Sequence, residues 1–190
     1  MSLTAVLLIA AAAVIVVYAV MLYNGLVQIK HNVAKAWSNI DVLLKQRHDE
    51  LPKLVDTCKQ HMAYEQETLT KVMEARSRVS DAREQHDVRA LGAAEGALRG
   101  ALGTLFAVAE DYPDLKANQS FLHLQTRITA LEEAISDRRE FYNESVNINN
   151  VRIEQFPDSL IASRGNFKPA ELLKFAEAET RDHSVKALFA

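Results

Sequence analysis

Four charged side chains stand where a helical protein ordinarily places an apolar one. Glu95 occupies a position between Leu91 and Leu98 on a seven-residue apolar seam, and Arg76 follows Val72 by four residues and Leu69 by seven. Glu132 and Arg139 are seven apart on one track with Val146 and Ile153. Tyr142 and Asn143 lie on or beside that face, and Trp37 and Asp41 are one turn apart nearer the N-terminus. Such spacing carries polar groups into the space between helices, where each must find a partner or water. Two chemistries fit. Carboxylates and arginines together could bind a small ligand or hydrolyse one. The same groups could instead satisfy one another as a polar network that fixes helix register, and this structural reading is the expectation. Trp37 needs no ligand to explain it, because a tryptophan in a core is an ordinary anchor.

Other chemistries lack their residues. A di-iron bundle needs Glu-x-x-His pairs, and no glutamate here has a histidine three residues later. The six histidines, at 31, 48, 61, 86, 123 and 183, form no H-E-x-x-H and no Cys/His cluster for zinc. There is no G-x-S-x-G. The glycines of "GAAEGALRGALG" fall every three or four residues, a spacing for close helix packing rather than for phosphate. Cys58 and the nearby His61 lack an orienting partner, so Cys58 reads as a small buried apolar residue. A lone cysteine forms no internal disulfide and fits a reducing compartment. The expectation is no catalytic residue, no metal, no cofactor and no known small-molecule ligand. A net charge of −3 without a basic run excludes nucleic acid as the main partner.

The elements that must position these residues are helical. Val33, Trp37, Ile40, Leu44, Leu51, Leu54 and Cys58 recur at three- and four-residue spacing with one gap of seven. Leu91, Leu98, Leu105 and Tyr112 keep a seven-residue seam, and Phe121, Ile128, Ile135, Tyr142, Val146, Ile153 and Phe156 extend another. No run alternates with period two, so the protein is all-α. Helices are expected from the N-terminus to about Glu50, from Pro52 to about Val79, from about Ala82 to Glu110 and from about Gln119 to Gln155. The fold class expected is an N-terminal transmembrane helix followed by an antiparallel up-and-down four-helix bundle. The alternative is three long helices, the first kinked at Pro52. Between the last two helices, Tyr112, Pro113, Leu115 and Asn118 read as an inter-helix turn: Pro113 ends one helix, Leu115 tucks over the bundle end, and Asn118 or Ser120 caps the next.

The front of the chain differs from the rest. From Leu3 to Leu22 there is no charge, and the first charged side chain is Lys30. About 20 apolar residues at roughly 1.5 Å each match the thickness of a bilayer core. "MS" supplies no basic n-region, so the segment is expected to persist as an anchor rather than be cleaved. Lys30, Lys35, Lys45 and Arg47 follow it, which places the body in the cytoplasm and the N-terminus outside. The organisation expected is an anchor over 1–23, a helical bundle over 24–160 and a tail over 161–190. A short tail helix beginning at Pro169, with Leu172, Leu173 and Phe175 as its apolar side, is expected to pack on the bundle.

The stretch "YPDLKANQSFLHLQTRITALEEAISDRREFYN" resembles the LemA family pattern of a Y-P-D-L-K-A-N turn, a helix with E-x-x-I, then R-x-x-Y-N. "YNGLV", "AWSNIDVLLKQRHDELPKLVDT", "QFPDSLIA" and "NFKPAELLKFAEAE" resemble its remaining segments, so the likeness covers essentially the whole chain. Asn149 stands where the family usually has an aromatic residue, Lys53 where asparagine is usual, and "LLKF" replaces an aromatic pair. The resemblance implies a single-span protein of the bacterial inner membrane with a cytoplasmic helical domain and no established activity. Its partners would then be proteins of the membrane or further copies of itself.

Overall fold

The computed structural model describes residues 2–174, and every regular element among them is an α-helix. These are α1 (Leu3–Lys59), α2 (Gln66–Glu84), α3 (Val88–Ala109), α4 (Pro113–Lys116), α5 (Gln119–Glu154) and α6 (Asp158–Arg164). The chain divides into two compact units: Ile40–Asp137 with Leu173–Ala190, and Met1–Asn39 with Arg138–Leu172. Both α1 and α5 contribute a segment to each.

In the Ile40–Asp137 unit, four helical segments each bury an apolar face. Ile40, Leu44, Leu51 and Leu54 come from α1, and Leu69 and Val72 from α2. Leu91, Leu98 and Leu105 come from α3, and Phe121, Ile128 and Ile135 from α5; all are buried. These residues of the apolar stripes are the buried faces of their helices. α2 packs along α3.

Two helix boundaries differ from expectation. No helix starts at Pro52: α1 passes through it, as in the alternative with one long first helix, and ends at Lys59. A proline inside a helix lacks the N–H that would bond the carbonyl four residues back, at a cost of about 3 kcal/mol. That carbonyl belongs to His48, and Arg76 Nε of α2 donates to it at 2.9 Å. A neighbouring helix therefore supplies the missing donor. The chain turns instead at Gln60–Glu65, where the His61 and Met62 amides both donate to the Cys58 carbonyl and Met62 is buried.

The second difference is the stop between α2 and α3. His86 adopts a left-handed φ of 54°. Its N–H donates to the Arg83 carbonyl and that of Asp87 to Ala82, which closes the helix end in the manner usually reserved for glycine. Asp87 then caps α3, its carboxylate accepting from the Ala90 N–H at 2.9 Å. Further on, Pro113 opens the four-residue α4, Leu115 is fully buried, and Asn118 Oδ1 accepts from the Ser120 and Phe121 amides at 2.9 and 3.1 Å. The Tyr112 hydroxyl donates to Glu65 Oε1 at 3.4 Å, tying this connection to the one after α1.

The second unit begins with an apolar helical stretch whose side chains, Leu3 through Met21, are exposed almost throughout. It is long and apolar enough to cross a membrane. Beyond it Leu26 and Ala36 of α1 are buried, as are Tyr142 and Val146 of α5. After α6 the chain reverses at Asn166, again with a left-handed φ of 54°, and runs back without helix. The expected tail helix does not begin at Pro169, since Pro169–Lys174 is not helical; Phe175 and all later residues lie outside the described ones. Leu173 is buried. Leu173 and Lys174 already belong to the Ile40–Asp137 unit, and within it the backbone of Lys174 lies so close to Gly92 that a Cβ there would stand 1.9 Å from the Lys174 carbonyl oxygen, so only glycine fits.

Candidate functional site

The strongest concentration of buried charge is built around a residue that the sequence reading used only for membrane orientation. On α1, Arg47 falls in the seven-residue gap between Leu44 and Leu51, on the buried face, and is 0% exposed. Its Nη2 donates to Glu95 of α3 and its Nη1 to Glu132 of α5. Arg99 Nε approaches the other oxygen of Glu132 at 3.5 Å, so the cluster holds two guanidiniums and two carboxylates and is formally neutral.

Burial works against the charge on Arg47, but the two carboxylates outweigh it and hold the guanidinium above its ordinary value. Burial pushes the Glu95 carboxyl up, Arg47 pulls it down by less, and the charge of Glu132 adds to the rise. Arg47 Nε is buried without a partner, which marks how far the guanidinium has been drawn between two helices.

Arg76 belongs to a separate site in the same unit. Besides its bond to the His48 carbonyl it contacts His48 Nε2 through Nη2 at 2.6 Å. An arginine N–H can only donate, so Nε2 accepts and the imidazole is neutral with its proton on Nδ1. Burial, and then the charge of Arg76, push His48 below its ordinary value, in keeping with that state. Asp41 is near the surface and pairs with Arg83 at 3.5 Å. Cys58 is fully buried, and burial pushes its thiol up to about 11, so it is no thiolate nucleophile at neutral pH. Among the described residues, no three His, Cys, Asp or Glu side chains converge as a metal would need.

The remaining residues singled out from sequence lie in the other unit. The rings of Trp37 and Tyr142 meet at 5.5 Å. The Tyr142 hydroxyl donates to the Glu171 carbonyl at 2.9 Å, and Arg139 and Asn143, half-buried on α5, are engaged as well. Tyr142 here works with two asparagines to which the sequence reading assigned no role. The Asn150 side chain donates to the Ala170 carbonyl at 3.0 Å and accepts from the Ala170 N–H at 2.9 Å, while Asn149 donates to the Lys168 carbonyl at 3.3 Å. An amide side chain thus pairs with an extended strap as a neighbouring strand would. The signal for Arg47 was its place in the seam's gap; for Asn149 and Asn150 there was none beyond their adjacency.

The LemA family pattern matches residues 36–187, from the middle of α1 through the arginine cluster and the strap. The chain belongs to the LemA family. It is similar to protein LemA of Metamycoplasma hominis, at 29% identity over 84% of this chain and 72% of that one. It is also similar to magnetosome protein MamQ 2 of Paramagnetospirillum magneticum at 28% identity and to magnetosome protein MamQ of Magnetospirillum gryphiswaldense at 25%. In both MamQ comparisons the match spans 80% of this chain and 64% of the relative. This LemA-family chain therefore spans less than two thirds of the MamQ proteins' length.

Proposed function

We propose that the protein is a membrane-anchored, non-enzymatic interaction or scaffold module of the bacterial inner membrane, with its N-terminus outside and its helical body in the cytoplasm. The observation that carries this reading is uncovered apolar surface on a rigid element. On α5, Phe141, Ile148 and Val151 are 60%, 44% and 43% exposed, and their spacing puts them on one face. The charged groups that chemistry would need are meanwhile held by one another. Lys30, Lys35 and Lys45 support the cytoplasmic orientation; Arg47 does not, because its charge is matched inside the protein.

A photo-crosslinking residue at Ile148 of the full-length protein, irradiated in native membranes, should capture a discrete partner or a second copy. The same residue at Glu67, exposed on α2, should not. Equal, diffuse capture from both positions would remove the interaction reading. A second reading, ligand binding by the charged residues, has one observation behind it: a cleft of about 410 Å³ lined by Arg99, Phe106, Thr129, Glu132 and Ser136. Under that reading Glu132→Gln abolishes binding of a small anion or amide without moving the melting temperature, and a fall in stability would instead assign Glu132 to the fold.

A further inference from the structure

The surface that surrounds the exit of the apolar helix is itself apolar and basic. Tyr23 closes the uncharged run, and the ring of Phe167 meets it edge-on at 5.7 Å. Two residues later, a Cβ on Gly25 would lie 3.7 Å from Arg152 Nη2, so the guanidinium from the last turn of α5 reaches α1 at this level. Arg152 Nη2 also donates to Asp158 Oδ1 at 2.8 Å, fixing the start of α6 beside it. The short connection between these two residues carries Phe156, 80% exposed, and α6 carries Leu160, 51% exposed. Between Arg152 and Lys168 the exposed charges are Glu154, Arg164 and Lys168, a basic balance.

We propose that this collar is a second membrane contact, in which Phe156 and Leu160 enter the interfacial layer of the bilayer beside the anchor while Arg164 and Lys168 meet lipid phosphates. It rests on reading Leu3 to Leu22 as a membrane span. Tyr23 then lies at the edge of the hydrocarbon core, where aromatic rings are favoured. A polar headgroup layer several ångströms deep begins there, and whatever packs against Tyr23 and Gly25 is immersed in it. Exposed phenylalanine and leucine flanked by basic side chains match that layer. In water the same two side chains would be an unexplained apolar exposure.

Tryptophan fluorescence of full-length protein in phosphatidylcholine and phosphatidylglycerol vesicles tests this. The single native tryptophan is first removed by Trp37→Phe. Phe156→Trp in that background should lose about half its emission to lipids brominated high on the acyl chain, less to lipids brominated near the chain end, and should resist aqueous acrylamide. Ile15→Trp gauges the anchor and should respond most to the deep bromines, whereas Tyr64→Trp, at a 94% exposed position, should respond only to acrylamide. If the Ile15→Trp protein is quenched by bromine and the Phe156→Trp protein only by acrylamide, the collar stands in water and the proposal is overturned with the anchor intact. If bromine reaches neither, the span reading fails and the collar with it.

Discussion

Each unit is held together internally by its own kind of polar contact. In the Ile40–Asp137 unit, Arg47 is buried between Glu95 and Glu132 and ties three helices through full charges. In the other, Tyr142, Asn149 and Asn150 pin an extended strap with neutral hydrogen bonds to its backbone. Burying ions costs solvation that a packed apolar core would not, and we propose that what it returns is discrimination between helix registers. Neutral amides cost less to bury and bind less strongly, which suits a segment that has no core of its own. Under this proposal a change in the cluster is felt by its whole unit, and a change in the amides by the strap alone.

The largest effect should come from breaking the cluster on one side. Arg47→Met leaves two carboxylates without their buried partner and should cost about 3–5 kcal/mol in a urea titration. Adding Glu95→Leu and Glu132→Leu should return most of that loss, since an apolar replacement of the whole set removes the uncompensated charge. A single mutant that costs less than about 1 kcal/mol would mean the cluster behaves as a surface pair, and the contrast between the units would go.

Arg76→Ala should come next, at about 1–3 kcal/mol, because it orphans the His48 carbonyl inside α1. Pro52→Ala restores an N–H to that carbonyl, so the same arginine substitution should cost clearly less in the Pro52→Ala background. Equal costs in both backgrounds would show that Arg76 does not act through the proline.

Asn150→Ala should be smaller and local. Amide hydrogen exchange over 166–172 should accelerate while the urea midpoint of the other unit stays put. A global loss of stability would make the strap part of a core and remove the difference between the units.

The smallest effect concerns pH. Because the folded-state pKa of Glu95 is raised, the folded protein binds its proton more readily than the unfolded chain does between the ordinary carboxylate value and the raised one. Its contribution to stability is therefore fully present below the ordinary value and is lost as pH rises through the raised one. The wild type should gain on Glu95→Gln as the medium is acidified from neutrality toward the ordinary carboxylate range. A difference that does not change with pH would place Glu95 in a less buried setting. His48, lowered by burial and Arg76, works in the opposite direction and is common to both proteins.

Much of the architecture was legible because it is periodic. The seams through Leu91, Leu98 and Leu105 and through Phe121, Ile128 and Ile135 are buried faces, and Pro113 with Asn118 announces its turn through residues that have few other uses. The end of α1 was not legible. Gln60–Glu65 contains no glycine, proline or asparagine, and its turn rests on the burial of Met62. Likewise His86 takes a backbone conformation for which glycine is the usual residue. As for the polar residues, Glu95 and Glu132 were recognisable as misplaced in apolar stripes. Their shared partner was not, because Arg47 is far from both in sequence and an arginine in a seam can as readily reach out to water.

By itself, then, the sequence determined what depends on local order: helix against strand, the faces that turn inward, the uncharged run long enough for a bilayer, and family membership. Tertiary structure alone decided what depends on residues distant in the chain. It lets α1 run through Pro52, because a donor arrives from Arg76, and it makes Arg47 the centre of a neutral cluster. It lays residues 166–172 as an extended strap, because Asn150 offers the backbone a partner there. A hydrogen bond or ion pair between helices is set by the meeting of surfaces, and one chain's periodicity records the surface but not what it meets.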